Sequence, residues 1–185
     1  ELLIKLNLLR KDNRRLREIL SLQDSSKNET ISAAVISRKT GSWWRQIILN
    51  KGSKDGVEIG STVIGPGGLL GIVNSTSLFT SSVKLLTSPA SKVGVWIDRT
   101  QINGLLVGVA DDFPTLILYS KNADIEVGDF VSSSPASTLL PPNIPIGIVK
   151  SIQESFKAKK TAKILLLAKP QVIDWVQILK VKPNE

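Results

Sequence analysis

The sequence contains no histidine and no cysteine. That removes the commonest general base at neutral pH, the commonest metal ligand and every thiol nucleophile. Most hydrolytic and zinc-dependent mechanisms go with them, so neither catalysis nor a cofactor or metal is expected. A chain without cysteine suits an envelope protein that avoids stray disulfides as well as a cytosolic one. Aromatic residues are also sparse, nine in 185. They do not interleave with basic side chains to form the stacking platforms of single-strand binders, so no nucleic-acid partner is expected. Long apolar runs are lacking too: "KILLLA" (163–168) and "GLLGIV" (68–73) fall far short of the roughly 20 residues that cross a bilayer.

What is present begins with charge. A net charge of +8, spread along the chain, favours acidic partners. The length is enough for one or two buried cores. The chain opens on Glu1 and not on Met, so a native amino terminus is expected upstream, where any signal peptide or membrane anchor would lie.

Residues 1–24 read as an amphipathic helix. Leu2, Leu6, Leu9, Asn13, Leu16 and Leu20 follow one another at alternating steps of four and three, a heptad seam. Arg10, Lys11, Arg14, Arg15 and Arg17 lie off that seam. The leucines predict homodimerisation through a coiled coil, with the polar Asn13 setting register.

After the polar "DSSKNET" (24–30) the texture changes. Short runs rich in Val, Ile and Leu recur about every ten residues between Gly, Pro, Asn and Ser, the spacing of an all-β barrel or sandwich. In "KVGVWID", Val93, Val95 and Ile97 share one face of a strand. The glycine-rich "KGSKDGVEIGSTVIGPGGLLGIV" (51–73) lacks both dinucleotide spacing and the Lys-Ser/Thr ending of a phosphate loop. Its Pro66-Gly67-Gly68 instead reads as a tight turn between strands.

That run has an echo. "VEIGSTV" (57–63) returns as "IEVGDFV" (125–131), and "LGIVNS" (70–75) as "IGIVKS" (146–151). The repetition predicts two related β modules. The fold expected is mainly β: the helix, then two small barrels over 31–107 and 108–185, with strand exchange between them allowed. The second module carries a longer insert, "SSSPASTLLPPNIP" (132–145).

Catalytic-looking patterns dissolve on inspection. Ser81 and Lys84 fit an S-x-x-K motif, but a strand sends positions i and i+3 to opposite faces. Asp111-Asp112 ahead of Phe113-Pro114 reads as a solvated turn. The lysines at 157, 159, 160 and 163 read as a hairpin tip. Candidate partner-binding residues are the adjacent Trp43 and Trp44, of which a strand would expose one, and Leu139 and Leu140 in the insert.

Taken together, "KGSKDGV" (51–57), "VGDFV" (127–131), "NIPIGIVKSI" (143–152) and "KPQVIDWVQILKV" (169–181), behind a leucine-rich helix, resemble the MreC rod-shape-determining family. The resemblance covers nearly all of residues 31–183. It implies a periplasmic, extracytoplasmic location and anchoring in the inner membrane by an upstream helix. It also implies a non-catalytic scaffold role in the elongasome. The implied partners are MreD, the actin-like MreB system and peptidoglycan synthases, with homodimers that assemble into filaments. Rival readings are a periplasmic adaptor of an export system, which would need a longer helical hairpin, and a basic nucleic-acid-binding barrel.

Overall fold

Alternation of apolar and polar side chains governs the chain from Thr30 onward. The computed structural model describes residues 2–7, 9, 30–39, 41, 45–120, 122–154 and 160–180. Residues 2–7 and 9 are helical. Beyond them the described residues form twelve strands: β1 (Thr30–Lys39), β2 (Gln46–Leu49), β3 (Thr62–Gly65), β4 (Gly68–Thr76), β5 (Ser81–Leu85), β6 (Lys92–Ile97), β7 (Asn103–Val107), β8 (Thr115–Leu118), β9 (Phe130–Ser133), β10 (Pro145–Glu154), β11 (Lys160–Leu166) and β12 (Trp175–Leu179). They close into two six-stranded barrels of circular order β1-β12-β3-β4-β5-β2 and β10-β11-β8-β7-β6-β9. The mainly β, two-barrel expectation holds.

No single boundary such as 107/108 divides the barrels, because strands are exchanged across it. Strands β6 and β7, before that boundary, belong to the second barrel, and β12, near the end of the chain, closes the first. The reason lies in edges. Strands β1 to β5 leave β1 and β3 unpaired on one side, and a barrel is complete only when a further strand joins both. Strand β12 does so, pairing Ala33 with Val176 and Val63 with Ile178. Arg38 on β1 latches the approach to that strand. Its guanidinium donates to the carbonyls of Pro170 (3.1 Å) and Ile173 (2.7 Å) and to Asp174 Oδ1 (2.7 Å).

The echo in the sequence is an echo in register. Val63 faces Gly71 as Val131 faces Gly147, and Val73 faces Val83 as Val149 faces Ile164. Both β4 and β10 break register immediately after that valine, at Asn74 and Lys150. The turns match as well: the Gly60 and Gly128 amides donate to the Val73 and Val149 carbonyls. Ala33–Val176 corresponds to Gly104–Val95, and Val63–Ile178 to Val131–Ile97, so β12 and β6 are equivalent strands. Each run of five strands is thus succeeded by a sixth that closes the other barrel.

Each barrel has its own core. Ile47, Val63, Val83, Leu85, Val176 and Ile178 fill the first, and Val95, Ile97, Leu116, Val131, Ile146 and Ile164 the second. The glycine-rich run serves the junction between them. Gly67 and Gly68 have φ of 98° and 136° in the β3–β4 hairpin, where glycine is the residue without strain. A Cβ at either would strike backbone of Leu167 or Pro145 on the second barrel. Ile64, Leu69 and Ile72 of the first barrel consequently pack against the second core. From Gly68 the chain runs on as strand β4, in agreement with the turn reading and with no helix start at which an anion could rest.

Candidate interaction surfaces

The predicted positions fall in different environments. Leu2, Leu6 and Leu9 are 87, 42 and 60% exposed, an apolar seam left open among the described residues. Asn13, Leu16 and Leu20 lie outside the described residues, as do Trp43 and Trp44. Leu139 is exposed. Leu140, by contrast, is a member of the second core, which corrects the expectation that it faces a partner. The insert folds back at that point because the Ser133 hydroxyl donates to the Pro141 carbonyl at 2.6 Å and accepts from the Ile144 amide at 2.8 Å.

The catalytic lookalikes do not assemble. Ser81 points into the first barrel and Lys84 out of it, so a Ser–Lys pair cannot form on this strand. Asp112 is engaged in a 2.9 Å ion pair with Arg45. Among the described residues no three metal-ligating side chains come together, and no helix is long and apolar enough to cross a membrane.

One surface escaped the sequence reading. Phe130 on β9, Ile148 on β10 and Leu165 on β11 stand directly opposite one another across three adjacent strands. Phe130 is 55% and Leu165 43% exposed. Lys150 lies just after this row on β10 and Lys163 just before it on β11. In the first barrel the equivalent residues are Thr62, Ile72 and Lys84. There Ile72 is covered by the second barrel, whereas among the described residues no barrel packs in the same way on the second barrel's copy of this face. The signal was present in "VGDFV" and "KILLLA": once the echo is aligned, Phe replaces Thr and Leu replaces Lys at outward positions.

A fixed ionic network backs that row. Arg99 Nε and Nη2 donate to the two oxygens of Asp129 at 2.8 and 3.0 Å, and Nη1 donates to Asp124 at 2.8 Å. Asp129 also accepts from the Glu126 amide, as the Ser61 hydroxyl does from the Glu58 amide in the first barrel. These bonds to Arg99 hold Asp129 and Asp124 below the usual carboxylate range and raise Arg99 above its own. Asp129 is 7% exposed, so the residue immediately before Phe130 is anchored.

The "Rod shape-determining protein MreC, barrel core" family model matches residues 35–180. The chain belongs to the MreC family. It is 31% identical over 176 residues to the cell shape-determining protein MreC of Caulobacter vibrioides, covering 94% of this chain and 49% of that protein. The chain spans about half the length of the curated MreC relatives it matches. An MreC structure from Listeria monocytogenes superposes with a TM-score of 0.86 at 28% identity, covering 99% of this chain and 93% of that one. A complex between Penicillin-Binding Protein (PBP2) and MreC from Helicobacter pylori contains a chain of TM-score 0.65 at 17% identity, with 84 and 100% coverage. At that identity the likeness carries the fold alone.

Proposed function

We propose that this chain is a non-catalytic scaffold of bacterial cell-wall elongation, exported and held at the membrane by an upstream helix. It pairs through its leading helix and offers its barrels to a peptidoglycan synthase, to MreD and, across the membrane, to the MreB system. Its mechanism is positional. Two linked barrels on a paired helix raise the effective concentration of membrane enzymes near one another and so bias wall insertion toward a rod.

The observation that carries this reading is the uncovered row Phe130–Ile148–Leu165. An exposed aromatic anchor flanked by aliphatic and basic side chains, on a rigid sheet, has the composition of a protein–protein contact. The PBP2 complex of the H. pylori protein supports a synthase as the occupant. A photo-crosslinker at Phe130 or Leu165 in growing rod-shaped cells is expected to capture a peptidoglycan synthase, and one at Lys54 on the other barrel is not. Equal capture from both positions would refute the assignment. For pairing, Leu9→Ser with Leu16→Ser is expected to lower the mass seen in sedimentation, and an unchanged mass would remove the helix from that role.

A further inference from the structure

A cavity of about 400 Å³ opens on the first barrel, lined by Arg45, Gln46, Asn74, Lys84 and Ser88, with Pro89 and Ala90 as one wall. Its size falls within the roughly 300–1,000 Å³ typical of small-ligand sites. Lys84 and Gln46 are directly opposed on β5 and β2, and Asn74 is the bulge residue of β4. The fold therefore brings two cations and two carboxamides to one concave place. Among the described residues Lys84 has no ion-pair partner. Arg45 is paired only through Nη1, to Asp112, and its Nε is buried without a hydrogen-bond acceptor. A guanidinium donor left unsatisfied in such a position is costly, and an anion in the cavity would supply the acceptor.

We infer that this cavity binds the free carboxylate end of a peptide chain. The carboxylate would accept from the Arg45 guanidinium, whose Nε–H a small turn of the side chain would bring into the cavity, and from the Lys84 ammonium, a charge-assisted pairing suited to the planar guanidinium. Behind it, the peptide groups of the ligand meet carboxamides that both donate and accept. Gln46 already receives the Ser82 hydroxyl on its oxygen at 3.2 Å, which leaves its NH₂ to donate. Pro89 and Ala90 give the adjoining residue an apolar wall. An inorganic anion could accept from the two cations and from the amide NH₂ groups of Gln46 and Asn74, but it would leave the Asn74 carbonyl oxygen without a donor and the Pro89–Ala90 wall without apolar contact, so the arrangement favours a carboxylate with a chain attached. Asp112, 65% exposed on its side chain, is the internal competitor for Arg45.

The test is an NMR titration of the folded chain with acetyl-Ala-Ala-Ala as free acid, with its C-terminal amide, and with inorganic phosphate. The free acid is expected to saturate, moving the Arg45 Nε–H signal and the backbone amides of Asn74 and Ser88, and the amide to bind at least tenfold more weakly. Lys84→Gln, on the outer face of its strand, should weaken the free acid about tenfold without changing the melting temperature. Asp112→Asn should tighten it severalfold by releasing Arg45. Equal binding of acid and amide, phosphate saturating the same signals as tightly, or indifference to both substitutions would each overturn the inference.

Discussion

The two barrels share a register at the β3–β4, β4–β5, β1–β12 and β12–β3 interfaces and their counterparts, and differ in what they do with the same outer face. On the first barrel, Ile64, Leu69 and Ile72 on the β3–β4 hairpin are used up inside the molecule, pressed against the second core. On the second, the matching strands carry Phe130 and Leu165 into solvent, with Asp129 clamped by Arg99 where the first barrel has Ser61. A duplicated unit thus spends one copy of its face on internal docking and keeps the other free. The strand pairing recurs in both copies, and on the outer face Thr62 and Lys84 of the first give way to Phe130 and Leu165 of the second.

The largest expected effect separates the barrels altogether. Removing residues 175 onward deletes β12, whose Val176 and Ile178 are buried in the first core. Each such side chain contributes about 1.5–3 kcal/mol, and β1 and β3 lose a partner strand at the same time. Hydrogen exchange should then show protection lost in β1–β5 and retained in β6–β11. Loss in both barrels, or in neither, would mean that they are not the separate closures described.

Next come the paired glycines. A Cβ at Gly71 would collide with the Lys84 carbonyl, and one at Gly147 with the Leu165 carbonyl. Gly71→Ala and Gly147→Ala should each cost about 1–3 kcal/mol through overpacking, measured by denaturant unfolding. If one position tolerates alanine freely, the equivalence of the two strands fails there.

Asp129→Ser installs the first barrel's residue in the second. The turn bond to Glu126 is kept and the ion pair is lost, at a cost of about 1.5 kcal/mol near neutral pH. The wild-type advantage should depend on pH with a definite sign. Because Asp129 is held below the usual carboxylate range in the folded protein, its contribution is fully present above the unfolded value of about 3.9. It disappears as pH falls through the lower folded value. The difference in melting temperature between wild type and variant should be constant from pH 7 to about 5 and shrink below about 4. A difference that grows on acidification would contradict the assignment.

Much of this was legible in the sequence, and the reason is locality. Alternation in "KVGVWID" gave the inward set Val93, Val95 and Ile97, all buried, and the Gly-centred echoes gave matched turns and bulges. Ser81 and Lys84 part to opposite faces as a period of two demands. Strand exchange could be allowed for, but which strands exchange was not legible, because β12 pairs with β1 across most of the chain length and nothing near residue 175 specifies which barrel it closes. Leu140 was misread because a Pro-rich insert looks like a surface loop. Hydrogen bonds from Ser133, seven residues earlier in the chain, turn it inward. Phe130 and Leu165 were missed because an outward apolar residue becomes informative only beside its polar counterpart in the other copy.

The most direct test gives the second barrel the first barrel's outer residues: Phe130→Thr with Leu165→Lys. Both side chains are substantially exposed, so the melting temperature should move by no more than about 2 °C. Affinity for the extracytoplasmic domain of the cognate peptidoglycan synthase, measured by titration calorimetry, should fall at least tenfold. An affinity unchanged from wild type, with the fold intact, would contradict the claim that this uncovered face is where the scaffold meets its partner.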